Sequence, residues 1–238
     1  MTTPSRGRFT LHVLSGGAAQ AIVRAVEEDF RVSTGARVRG TFGAVGAMRE
    51  RLLAGEPCDA AILTAALIAE LERDGRVLPG TSAPLGRVRT GVAVRAGEAL
   101  PDIADGAALR ETLLAATHIY FPDPELATAG IHFVNVLDRL GIHDVVAPRL
   151  RPCPNGATAM HELAMTTGYG LVGCTQISEI KYTPGVVLVG PLPAEFELST
   201  VYTVAVCTAA RESDLARRFA ELLSGPATRP LRQSAGFE

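Results

Sequence analysis

Twice within residues 9–46 an apolar run breaks on glycine and resumes with helical spacing, a repeat that restricts the chain to an α/β fold built on parallel strands. Residues 9–14 form the first run. It ends at Ser15-Gly16-Gly17, and apolar residues return at Ala18, Ile22, Val23, Val26 and Phe30, one face of a helix. Gly35 suits the left-handed residue that closes such a helix. Residues 38–42 form the second run, which ends at Gly43-Ala44-Val45-Gly46 before the next helical pattern. Each turn presents unpaired N–H groups of a helix start at the carboxyl end of a strand, the edge where α/β sheets hold ligands. The remaining chain is expected to build a cleft around these two turns.

The pattern continues with a helix over 47–54 ended by Gly55, a buried strand over 58–63 and a helix over 65–73. A loop rich in Gly, Pro, Ser and Thr spans 75–84. A second block opens at 88–95, where Val88, Thr90, Val92 and Val94 alternate with period two. Helices are expected over 107–116, 127–140 and 156–165, and strands over 118–121, 149–153, 169–173 and 186–189. Residues 200–207 form a strand of the same character as 88–95, and two helices, 214–223 and 226–235, follow with no strand between them. One lobe interrupted by another, with two extended segments as a hinge, accounts for this order; so does a single continuous sheet with helices appended.

At 238 residues and 47% apolar side chains the chain can bury a sizeable core, as one large or two small lobes. A net charge of -2 supplies no basic field for nucleic acid or an anionic membrane. No run approaches the ~18 apolar residues of a membrane span. The N-terminus lacks an apolar segment before the first strand, so it reads as carrying no signal peptide and the chain as cytoplasmic; a trimmed leader would make it periplasmic, with an ABC permease as partner. Cys58, Cys153, Cys174 and Cys207 are widely spaced, without C-x-x-C or paired histidines, which argues against a metal and for reduced, buried thiols. The only lysine is Lys181, no G-x-G-x-x-G follows the first strand and there is no G-x-S-x-G, so nucleotide binding and serine hydrolysis are disfavoured.

Several pieces in order then resemble the molybdate-binding proteins of bacterial ABC importers, within the type 2 periplasmic solute-binding proteins. They are Ser33-Thr34-Gly35, residues 41–49 and 54–62, Phe121-Pro122-Asp123-Pro124-Glu125 leading to Ala129-Gly130, Leu140-Gly141, Gly170-Leu171-Val172, and residues 222–226 to Gly236-Phe237. The resemblance implies two doubly wound α/β lobes joined by a two-strand hinge, with 1–84 completed by 207–238 as one lobe and 85–206 as the other. It implies a small anion, oxyanion or carboxylate, held in the cleft by hydroxyls and helix-start N–H groups without metal or organic cofactor. Carried over by position, the ligand-facing residues are Ser15, Gly17, Ala18, Ala44, Val45, Gly46, Thr128, Ala129, Asn155, Gly156 and Cys174. This chain departs from the family where it has Ala18, Ala44, Val45 and Gly173-Cys174 in place of hydroxyl side chains. Each hydrogen bond to a charged ligand is worth roughly 1.5–3 kcal/mol, so the expected ligand is not molybdate and the expected pocket is wider and less polar. Ser15, Thr128, Thr158 and Thr175 are the hydroxyls available as replacements.

The alternative is a cytosolic isomerase or lyase acting on a small organic acid in the same cleft. Its acid–base candidates are His161, one turn into the helix that follows Asn155, with Glu125 and Tyr120 flanking the 121–130 turn. Each has a plain structural reading beside it: His161 as an exposed helix residue, Glu125 as part of a turn. His132 alternates with apolar neighbours and reads as packing, and Cys174 as a small buried apolar group.

Overall fold

The computed structural model describes residues 9–238, and the reading of the N-terminus as leaderless falls on residues 1–8, outside them. In chain order the elements are β1 (Thr10–Gly16), α1 (Gln20–Thr34), β2 (Arg37–Gly43), α2 (Val45–Leu53), β3 (Ala60–Thr64), α3 (Ala65–Arg73) and β4 (Ala83–Arg95). There follow α4 (Gly106–Ala115), β5 (His118–Pro122), α5 (Thr128–Arg139), α6 (His143–Val146), β6 (Leu150–Cys153) and α7 (Gly156–Met165). The chain ends with β7 (Leu171–Gln176), α8 (Ile177–Tyr182), β8 (Val186–Pro191), β9 (Ser199–Val206), α9 (Ser213–Ser224) and α10 (Arg229–Ser234). Two compact units result. The first comprises 9–42, 48–86 and 201–238; the second comprises 43–47 and 87–200, so β4 and β9 each begin in one unit and end in the other. Among the described residues no helix is long and apolar enough to cross a membrane.

The first unit is organised on β1 and β3, which pair in parallel with Val13 opposite Ala60 and Ser15 opposite Ile62. β9 then runs antiparallel to β3, with Ile62 opposite Val204. α1 buries Ile22, Val23, Val26 and Phe30, the stripe that the sequence spacing implies. The Phe30 ring meets Phe219 of α9 edge-on at 5.2 Å, and truncating either to alanine costs about 3–5 kcal/mol. Gly35 has φ 77° and donates its N–H to the Arg31 carbonyl at 2.8 Å, closing α1 as glycine at that position should.

In the second unit β4 is flanked by β8 and β7, both antiparallel to it, and β5 lies parallel to both β7 and β6. The two faces of this sheet carry separate cores. On one, Val92, Val172 and Cys174 pack with Phe121, Phe133, Leu137 and Phe196 under α5. On the other, Ala93, Tyr120 and Leu171 pack with Met160 and Leu163 of α7. Residues along β7 therefore alternate, with Val172 and Cys174 toward α5 and Leu171 and Gly173 toward α7. At Gly173 a Cβ would press on the side-chain tips of Met160 and Leu163, which would have to shift to admit it.

β7 continues to Gln176, three residues past the end expected at Gly173, so Cys174 sits inside a strand rather than at its end. α8 follows with no turn between, and its six residues are too few to show a period. Residues 226–235 form a 3-10 turn and then α10 rather than one helix, with Pro226 and Pro230 in the first turn of each.

Candidate functional site

Two long helices of the second unit begin at the carboxyl edge of its sheet, one on each face, and their starts are built differently. At α7, Asn155 is the N-cap: its Oδ1 accepts the Thr158 N–H at 2.9 Å and the Thr158 hydroxyl at 3.1 Å. The rest of this start is taken by Glu179, the third residue of α8. Its carboxylate accepts the Thr175 hydroxyl at 2.6 Å and the backbone N–H groups of Gln176 and Ala157. Gly156 lies so close that a Cβ would overlap both Glu179 Oε2 and Thr175 Oγ1. Glu179 is buried, and desolvation pushes its carboxyl up to about 7, a rise that the Thr175 hydroxyl and the two amides only partly offset. The start of α7 is thus already occupied by a carboxyl group supplied by the chain. Asn155 and Gly156, expected to face a ligand, both take part in this internal arrangement.

Among the described residues the start of α5 has no such occupant. Its N-cap is Ala127, which has no side chain to bond the first-turn N–H groups of Thr128, Ala129 and Gly130. The preceding turn is fixed by Asp123, whose Oδ1 accepts the N–H groups of Glu125 and Leu126 at 2.8 Å each. Gly130 passes against that turn so closely that a Cβ would collide with the carbonyls of Pro122 and Asp123. Residues 43–47 belong to the same unit, and Gly46 donates its N–H to the Leu126 carbonyl at 2.9 Å. The structure therefore joins the 44–46 turn to the approach to α5, although the Gly46 amide is spent in doing so. Ala44 and Val45 are buried beside it in sequence.

Thr90 and Gln176 were not among the expected residues. They are register partners at the end of the β4–β7 ladder, two places on from Val92 and Cys174, and so project toward the α5 face. Tyr120 of β5 pairs with Gly173 of β7, which sets the end of β5, where the turn into α5 begins, level with this pair. Thr90 is 0% exposed and Gln176 2%. Yet Thr90 Oγ1 and both amide atoms of Gln176 have no hydrogen-bond partner among the described residues. A buried polar group left unsatisfied costs about 1–3 kcal/mol. Two adjacent residues bearing that cost, next to an uncapped helix start, make a donor-and-acceptor surface suited to a small anion. Period-two counting along a longer β7 would have found Gln176 on this face.

Ser15, Gly17 and Ala18 lie in the first unit, all buried, and Ser15 turns its hydroxyl onto the Gly16 carbonyl at 2.9 Å. Of the four hydroxyls available as replacements, those of Ser15, Thr158 and Thr175 are committed to internal bonds, and only Thr128 is uncommitted among the described residues. Cys174 belongs to the apolar core under α5, where burial holds its thiol far above the usual range. Tyr120 faces α7 and donates to Thr166 Oγ1 at 2.9 Å, beyond that helix's last turn. Glu125 is exposed in the turn before α5 and His161 is exposed on α7, so these three acid–base candidates share no hydrogen bond. His132 Nε2 lies 2.7 Å from the Phe196 carbonyl, the packing role expected of it.

A family model described as "Bacterial extracellular solute-binding protein" matches residues 11–238. The chain is similar to the aconitate isomerase of a Pseudomonas species, 25% identical over 221 residues, which cover 90% of this chain and 82% of that protein. Among solved structures it is similar to the periplasmic molybdate-binding protein of Azotobacter vinelandii, with TM-score 0.79, 19% identity and coverage of 96% of this chain and 98% of that one. It is also similar to the sulfate-binding protein of Mycobacterium tuberculosis, with TM-score 0.71, 19% identity and coverage of 97% and 86%. These likenesses identify the fold as the type 2 periplasmic-binding fold.

Proposed function

This chain belongs to the bacterial extracellular solute-binding proteins, and we propose that it reversibly captures a small organic carboxylate at the start of α5. The reading is supported by two features of one sheet face: the α5 start at Thr128, Ala129 and Gly130 has no side-chain cap, and Thr90 and Gln176, buried on the face that α5 covers, have no hydrogen-bond partner among the described residues. One carboxylate oxygen would take the amides of the first turn and the Thr128 hydroxyl, with the helix dipole favouring its charge. Gln176 and Thr90 would read the rest of the molecule, each able to donate and accept. That mixed character suits a carboxylic acid bearing other polar groups better than a tetrahedral oxyanion, which only accepts when fully ionised. The alanines and valine at 18, 44 and 45 point the same way, since they supply no hydroxyl donors.

Titration calorimetry with citrate, cis-aconitate, trans-aconitate, molybdate, tungstate and sulfate tests this. At least one carboxylate is expected to bind at micromolar concentration or below, and none of the three oxyanions. A sub-micromolar constant for molybdate or tungstate would overturn the choice of ligand class.

The second reading is an isomerase acting on a small organic acid, favoured by the similarity to aconitate isomerase over most of both chains. Glu179, whose carboxyl is pushed up to about 7, adds a proton-exchanging group to His161, Glu125 and Tyr120. Proton NMR of cis-aconitate incubated with the protein separates the two readings. Appearance of the trans isomer at a rate proportional to protein establishes turnover, and binding without conversion leaves capture as the function.

A further inference from the structure

The strongest unassigned feature lies in the first unit. Cys58 and Cys207 are both buried there, and their sulfurs are 3.4 Å apart. The pair is set by strand pairing. Ala60 of β3 lies opposite Val206 of β9, and Cys207 donates its N–H to the Asp59 carbonyl at 2.9 Å, so the two cysteines sit diagonally just past the paired ends. The backbone on both sides is pinned. Asp59 accepts the His12 and Arg211 N–H groups at 2.7 and 2.8 Å, and Val77 bridges Cys207. A cavity of about 220 Å³ is lined by both cysteines together with His12, Asp59, Arg76 and Arg211. This is enough for a small hydroperoxide to reach buried sulfur.

We propose that Cys58 and Cys207 are an oxidation site, which closes into a disulfide across the ends of β3 and β9. Cys58 donates its S–H to the Ala60 carbonyl and receives that of Cys207, so the two sulfurs already face each other. With hydrogen peroxide as oxidant, the Cys58 sulfur attacks one peroxide oxygen, the O–O bond breaks, and the thiol proton leaves with the departing oxygen as water. The Cys207 sulfur then displaces the hydroxyl of the Cys58 sulfenic acid, and its own proton completes a second water. Two thiols and one peroxide thus give one disulfide and two waters. Among the described residues neither Cys153 nor Cys174 has such a neighbour: Cys153 bonds the Arg151 carbonyl, and Cys174 lies in the core under α5. Secreted proteins meet oxidising surroundings, so the pair would be closed there and open in a reducing cytoplasm.

The test treats the full chain with hydrogen peroxide, alkylates it in denaturant and maps the peptides. The expected product joins the Cys58 and Cys207 peptides, blocks two of the four thiols from alkylation, and reverts with dithiothreitol. The double substitution C153S/C174A should leave the link in place, whereas C207S should abolish it and leave Cys58 over-oxidised. Four alkylated cysteines after peroxide, or a link through Cys153 or Cys174, would overturn the proposal. Mapping of the unsubstituted chain decides the matter even should a variant not fold.

Discussion

The starts of α5 and α7 stand at the same edge of one sheet, on opposite faces, and only one of them is closed. At α7 a side-chain cap and a buried carboxylate satisfy the first turn. At α5 the cap residue is an alanine, and two buried polar residues on that face, Thr90 and Gln176, have no hydrogen-bond partner among the described residues. The dipole is equivalent at both ends. What separates a structural helix start from a candidate binding one is whether the chain has brought its own carboxyl group to it. Substitutions at α7 should accordingly move stability, and substitutions on the α5 face should move ligand affinity.

The largest effect is expected from Glu179. Its folded carboxyl titrates near 7 against an ordinary 4.5, so between those values the folded chain holds a proton that the unfolded chain releases. Stability is then full below about pH 4.5 and falls as pH rises, with on the order of 3 kcal/mol lost by the time pH passes 7. Glu179→Gln should flatten that fall in urea titrations run across the range, and an unchanged slope would show that the carboxyl does not govern it. Next comes Gln176→Leu. Losing a hydrogen bond to a charged ligand should weaken carboxylate binding by about tenfold or more, or about 1.5–3 kcal/mol. The urea midpoint should hold or rise, because a buried unsatisfied amide has been removed. Equal affinity in this variant would erase the distinction between the two starts. The smallest effect is that of Asn155→Ala, which removes one cap at a cost of about 1 kcal/mol. Calorimetry should find its affinity unaltered; a weakened ligand would mean that α7 also faces the site.

Much of the fold was legible in the sequence, because its signals are local. The stripe of Ile22, Val23, Val26 and Phe30 specifies α1, and Gly35 ends it without reference to anything distant. The site was legible in part. Gly-rich turns and helix starts announce themselves, but which start is closed depends on Glu179, a charged residue in a short segment that packs against a helix beginning 23 residues earlier in the chain. Nothing local marks such a carboxylate for burial. Gln176 was missed for a different reason. With β7 ending at Gly173, the apolar run supplied no cause to extend the alternation over Cys174, Thr175 and Gln176, and the face on which the amide falls was never counted.

Glu179 also acts as a tethered competitor. Attached to the chain a few residues from Thr175, it is present at its site at an effective concentration that a freely diffusing metabolite does not match. Under the proposed capture reading, an external carboxylate would meet an occupied start at α7 and an open one at α5. Trimming that tether, for instance by Glu179→Ala, would create a vacancy of roughly carboxylate size and convert a single-occupancy unit into one with two places to fill.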